Sequence, residues 1–312
     1  MKIAVVFPGQ ASQYVGMGKG LSETFAESAE VFAHADAALE ADFRKLLWNG
    51  PAEALNLTEN TQPAVLTVSL AAWAALMSVK PGLAPAYFAG HSLGEYSALV
   101  AAGSVPLAEA LRIVRHRGQF MQEAVPVGVG AMAALMGIEI DAVRQACSQA
   151  AQGQVVSPAN DNAPGQVVIA GHAEAVNRAV EMAKALGCRK AVLLPVSAPF
   201  HCSLMAPARE RLTPELEAIA FSDPRWPVVA NVDAAPTTEG ASARAKLIAQ
   251  VDSPVRWRET LLFLQSQGVD TILEVGPGTV LCGLAKRVNR DWKLLNVESP
   301  ESLDKALAGL QG

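Results

Sequence analysis

Charge is scarce in this sequence: 18 % of its residues are Asp, Glu, Lys or Arg, and their balance is only −5. No basic face for nucleic acid and no polybasic patch for an anionic membrane follows from such a composition, so a partner has to be recognised locally. Cysteine is scarcer still. Cys147, Cys188, Cys202 and Cys282 lie far apart with no C-x-x-C pair, which argues against a disulfide framework and a cysteine zinc site and leaves reduced, mostly buried thiols. Long apolar runs are also lacking. The uncharged stretch Pro63 to Val79 falls short of the ~20 residues that span a bilayer, and it carries Thr67, Ser69 and Ser78, so it reads as a buried helix. The apolar N-terminal run stops at Pro8-Gly9, too early for a secretion signal. These absences point to a cytoplasmic protein that binds neither nucleic acid nor membrane.

What the chain does have is apolar mass, 51 % of 312 residues, enough for one large domain or one domain carrying an insertion. Ile3 to Phe7 and Ala86 to Ala89 are short apolar runs closed by glycine-containing turns, as interior strands of a parallel sheet are. Alanine- and leucine-rich segments at 63–79, 93–102 and 106–124 suit helices that cover such a sheet, which makes the fold class α/β. From Gly130 to Val196 the rhythm becomes β-α-β-β-α-β, with runs at 131–138, 154–157, 166–170 and 191–196 around helical patterns at 139–150 and 173–186. That order is the split βαβ of ferredoxin-like folds. The expected organisation is a catalytic core of residues 1–127 and 198–312 with a ferredoxin-like subdomain at 128–197. The core resumes with helical patterns at 203–220, 241–250 and 257–267 and runs at 227–231 and 270–275.

Gly90-His91-Ser92-Leu93-Gly94 sits between a strand-like and a helix-like run, the setting in which G-x-S-x-G presents a serine hydroxyl on a strained turn at a helix N-terminus. A plain capping serine is the competing reading. A nucleophilic serine needs a base, and there are five histidines. His34, His116 and His172 fall on polar surroundings, and His91 should point away from the serine beside it. His201 follows an apolar run that ends at Val196 and is the candidate base.

Arg117 is the most informative residue. Its helical neighbours are Ile113, Val114, Phe120 and Met121, so its charge lies in an apolar stripe, whereas Arg112, Arg115 and Gln119 share the opposite face. Burying a guanidinium costs several kcal/mol unless an anion meets it. A buried Asp or Glu of the chain, snorkelling to solvent at the helix edge, or the carboxylate of a ligand satisfies that demand. Serine, imidazole and guanidinium together describe an acyl donor that carries its own carboxylate.

At this point the chain resembles a known family nearly end to end: the malonyl-CoA:acyl-carrier-protein transacylases of fatty acid synthesis and the related acyltransferase domains of polyketide synthases. The segments that carry the resemblance are FPGQASQ at 7–13, TQPA at 61–64, GHSLGEYSALVAAG at 90–103, RGQFMQEAVP at 117–126, GQVVIAG at 165–171, APFH at 198–201, NVDA at 231–234, SPVRW at 253–257 and EVGPGTVLCGL at 274–284. The resemblance implies an α/β-hydrolase-like core with a ferredoxin-like insertion. It implies Ser92 as nucleophile, His201 as base and then acid, Arg117 as clamp on the malonyl carboxylate, and the Gln250 carbonyl as the group orienting the histidine. The backbone N–H groups of Gln10 and Leu93 would form the oxyanion hole. The family usually has glycine where this chain has Ala11, so a positive φ there would strain the loop that carries Gln10. Phe200 beside His201 leaves little room for an α-methyl branch and favours malonyl over methylmalonyl.

The partners so implied are malonyl-CoA and an acidic acyl carrier protein, with coenzyme A entering as a thioester substrate and no metal or redox cofactor. Lys286, Arg287 and Arg290, or Lys184, Arg189 and Lys190, are basic clusters that would suit the carrier. A monomer is the state the resemblance favours. A serine esterase or thioesterase, a non-catalytic carrier-binding protein, and acyl-transfer subunits serving polyketide synthesis or malonate decarboxylation are the competing readings.

Overall fold

The computed structural model describes residues 1–196 and 198–311, so the subdomain boundary expected at residue 197 and the chain end at 312 lie outside the described residues. Its ten strands are β1 (Ile3–Phe7), β2 (Tyr87–Gly90), β3 (Gly130–Met136), β4 (Val156–Ala163), β5 (Gln166–His172), β6 (Lys190–Leu193), β7 (Val228–Val229), β8 (Pro236–Thr237), β9 (Thr271–Val275) and β10 (Lys293–Val297). They form two separate sheets. The larger runs β10-β9-β1-β2-β7-β8 and is parallel except for the β7–β8 hairpin. Every residue of β1 is buried, as a strand covered by helices on both faces requires.

The chain leaves β1 for β2 on one side, and β9 lies on the other. Strand order thus reverses beside β1, and the loops after β1 and β2 emerge together at the carboxyl edge, with Phe7 opposite Gly90. Crevices at such reversals are where parallel sheets bind ligands.

The smaller sheet is antiparallel in the order β4-β5-β3-β6, the ferredoxin-like arrangement, with helices Ile140–Ala150 and Ala173–Ala185 packed on one face through Ala133, Leu135, Val143 and Val176. Its other face, with Met132, Ala134, Val168 and Ala170, turns toward Phe200 and Cys202. β4 ties the smaller sheet to the core: Val255, just before helix Trp257–Ser266, pairs with Asn160, with bonds of 3.0 and 2.8 Å on either side, and Arg258 reaches Asp161 at 3.0 Å.

Three differences from the sequence expectation have physical causes. The helix expected from Pro63 runs Thr58–Val79, because a proline in the early turns gives up a single backbone bond and does not have to mark the start. That helix is apolar enough to cross a membrane, yet 78 % of its apolar window is buried in the core. β4 extends through Pro158 and the polar Asn160 to Ala163, accommodated by register shifts, where the sequence read a loop. Residues 19–55 drew no expectation, yet form four short helices, Lys19–Thr24, Ala26–Leu39, Phe43–Asn49 and Ala52–Leu55. All four cysteines are buried and free.

Candidate active site

The elbow at Ser92 is built by close approach. A Cβ on Gly90 would lie 1.9 Å from the Gly94 oxygen, and one on Gly94 would lie 2.1 Å from the Phe7 oxygen, so no other residue allows the turn to tuck against β1. Ser92 itself has φ 52 and ψ −110 and stands just before helix Leu93–Ala101. Two carboxamides hold this strained peptide. Asn231 accepts from the Ser92 N–H at 2.7 Å and donates to the Gly90 carbonyl at 2.7 Å, while Gln250 donates to the Ser92 carbonyl at 3.0 Å. Both are in turn anchored on Glu95, whose carboxylate accepts from the Asn231 N–H at 2.9 Å and from Gln250 at 2.8 Å. Burial pushes Glu95 up to about 7 against those two donors.

His201 places Nε2 2.7 Å from the Ser92 hydroxyl and Nδ1 3.2 Å from the Gln250 carbonyl. A carbonyl only accepts, so Nδ1 carries the proton and Nε2 is free to accept from serine. Gln250 ends helix Gly240–Gln250, and a carbonyl in a last turn has no partner within its helix. Burial first, then the Arg117 charge and His91, push His201 down to about 3. The imidazole therefore rests neutral, as a base must.

Arg117 is 2 % exposed. It donates to Gln62 at 2.6 Å, to Gln250 at 3.0 Å and to the Ser92 hydroxyl at 3.2 Å, while its Nε has no partner. No Asp or Glu lies within ion-pair distance of it among the described residues. Neither an internal acid nor, at 2 % exposure, snorkelling to solvent thus satisfies this charge. The nearest carboxylate partner in the network, Glu95, is reached only through Gln250.

The pocket around these groups is lined by Gln10, Gln62, Met121, Met132, Phe200 and His201. A second cavity shares Gln10, His91, Asn160 and Leu194 with it and runs out between the two sheets past Asn162 and Gln166. Leu93 opens the elbow helix, buried, with its N–H in the first turn where helical partners are missing. Ala11 does take a positive φ, 81, yet the loop closes on itself: Ala11 N–H donates to Gln13 at 2.8 Å and Ser12 to the Gly9 carbonyl at 2.7 Å. His91 also lines this pocket but does not meet the Ser92 hydroxyl. His91 turns to Asn162 at 2.8 Å, and His116, expected on a solvated face, pairs with Glu215 at 2.7 Å between helices.

Gln62, Asn231 and Glu95 escaped the residue-by-residue reading. The signal for Glu95 and Gln62 was the one that exposed Arg117, a polar side chain among apolar helical neighbours, but starting the helix at Pro63 hid Gln62.

The acyl transferase domain family matches residues 4–302. The malonyl CoA-acyl carrier protein transacylase of Salmonella typhimurium is 49 % identical over 306 residues, covering 98 % of this chain and 99 % of that protein. Its counterpart in Bacillus subtilis is 47 % identical, covering 99 % and 98 %. Among solved structures, the transacylase of Coxiella burnetii superposes with a TM-score of 0.97 at 43 % identity, over 100 % of this chain and 98 % of that one. A malonyl-transacylase solved with a type II PKS acyl-carrier protein gives 0.96 at 47 % identity, over 99 % and 100 %. Identity at this level over nearly the whole chain places it in the acyl transferase family, among the malonyl CoA-acyl carrier protein transacylases.

Proposed function

We propose that the chain moves a malonyl group from malonyl-CoA to the phosphopantetheine thiol of an acyl carrier protein, through a malonyl ester on Ser92. The observation that carries this reading is the buried, acid-free guanidinium of Arg117 touching the Ser92 hydroxyl. A thioester with a carboxylate two carbons from its carbonyl spans that short distance, whereas an ordinary ester leaves the charge unpaired.

In the forward half, Ser92 attacks the thioester carbonyl while His201 takes its proton. The oxyanion is met by the N–H groups of Leu93 and Gln10, each worth about 3 kcal/mol to the transition state. Coenzyme A leaves as a thiol, with the proton returned by His201. In the second half the carrier's thiol arrives along the cavity between the sheets, gives its proton to His201 and takes the malonyl group, and His201 hands that proton to the departing Ser92 oxygen. Water is a weaker competitor when the pocket is apolar on its Met121, Met132 and Phe200 sides. Phe200 crowds the α-carbon and supports malonyl over methylmalonyl.

Intact mass measurement with malonyl-CoA should show one lasting malonyl adduct, absent from Ser92→Ala and discharged by holo carrier protein. Turnover of malonyl-CoA without an adduct would instead point to a thioesterase.

A further inference from the structure

The guanidinium of Arg117 is aimed from two sides by groups that cannot neutralise it. A guanidinium only donates hydrogen bonds, so Gln62 has to turn its oxygen to Arg117, at 2.6 Å. That leaves its amide nitrogen to donate to the Thr58 hydroxyl at 3.1 Å, whose single proton then goes to the side-chain oxygen of Gln10 at 2.9 Å. On the other side Gln250 repeats the pattern, oxygen to Arg117 and nitrogen to Glu95. Gln62 is 2 % exposed and Thr58 5 %, so the bonds of Gln62 to Arg117 and Thr58 are shielded from bulk water. A glutamate at position 62 would have nearly the same shape, and an acid is the usual partner of a buried arginine. The chain carries a neutral amide there instead.

We propose that Gln62 is a positioning residue that fixes the carboxylate specificity of the pocket. Its amide holds the Arg117 fork in place while leaving the positive charge for the acyl donor, and through Thr58 it ties that clamp to the oxyanion loop at Gln10. The inference rests on the malonyl-transfer reading and adds a selectivity element to it. The unpartnered Arg117 Nε fits the same picture, since the protein itself supplies no anion to the fork. The bond order along Arg117, Gln62, Thr58 and Gln10 runs one way only, so a shift of the clamp is passed to the loop by fixed donors and acceptors rather than by loose packing.

The test measures kcat and KM for Ser92 acylation by malonyl-CoA and by acetyl-CoA in wild type, Gln62→Glu and Thr58→Val, with melting temperatures alongside. Gln62→Glu should raise KM for malonyl-CoA about tenfold or more and erase most of the preference over acetyl-CoA, because an internal carboxylate then occupies the fork. Thr58→Val should lower kcat about fivefold for both donors with their ratio retained, since it acts on the oxyanion loop. A Gln62→Glu enzyme whose KM and donor preference stay within about twofold of wild type overturns the proposal while malonyl transfer stands. If Gln62→Glu does not fold, Thr58→Val decides, and an unchanged kcat overturns the proposal. Absence of any malonyl adduct on the wild type removes the functional reading, and this inference with it.

Discussion

At the scale of single residues, the site stores strain and then restrains it. Ser92 at φ 52, His201 at φ 59 and Ala11 at φ 81 are non-glycine residues in left-handed backbone, each costing about 1–2 kcal/mol. Replacing Ala11 by glycine relieves its strain but adds unfolded-state freedom, so the net gain should be about 0.5–1 kcal/mol in denaturant unfolding. No gain would mean that the loop's hydrogen bonds have already relaxed the residue. His201, held neutral to about 3 in the free enzyme, should give a kcat/KM profile without an inflection at the ordinary histidine value of 6.5. A malonyl carboxylate on Arg117 removes one of the charges that depress it, so the corresponding kcat profile should fall at higher pH than kcat/KM does. Coincident limbs near 6.5 would show that burial does not govern this imidazole.

At the scale of elements, the proposed carboxylate clamp is made by two helices pressing together. A Cβ at Gly118 would stand 2.6 Å from the Glu59 Cα, so glycine lets helix Leu107–Glu123 settle on helix Thr58–Val79 and brings Arg117 to Gln62. Gly118→Ala should push the helices apart, costing about 1–3 kcal/mol by thermal unfolding. It should also raise KM for malonyl-CoA more than it lowers kcat. Equal losses in both would place the damage at the elbow instead. Helix Gly240–Gln250 serves the site by stopping where it does, since its last carbonyl is free for His201.

At the scale of the whole molecule, a parallel sheet carries Ser92 and an antiparallel sheet supplies one wall of its pocket, held to the core by the Val255 bridge and the Arg258 to Asp161 ion pair. Two glutamates are sealed in this body: Glu95 under the elbow and Glu274 in β9, which accepts the N–H groups of Leu281 and Cys282. Burial raises both from 4.5 to about 7. A raised carboxyl binds its proton more tightly when folded, so its contribution to stability is complete below 4.5 and is lost as pH rises toward 7. The melting temperature should therefore fall across that window, and Glu274→Gln should flatten part of the slope. A stability that climbs from 4.5 to 7 would mean that the donors around these carboxylates outweigh their burial.

The sequence alone determined the α/β class, the βαββαβ order, the elbow at Ser92 and the peculiarity of Arg117. Each of these is written in local spacing: period two against period 3.6, glycines flanking a serine, a charge set into an apolar stripe. The place of His201 after a strand-like run marked it as the candidate base, and family resemblance added the proposed roles of Gln250, Gln10 and Leu93. Tertiary structure alone decided that no acid meets Arg117, that Gln62 and Gln250 flank it, and that Asn231 and Glu95 brace the elbow. Those partners lie 55 to 139 residues apart along the chain, and spacing in sequence carries no signal for contacts that exist only once two helices and two strand ends have been packed together.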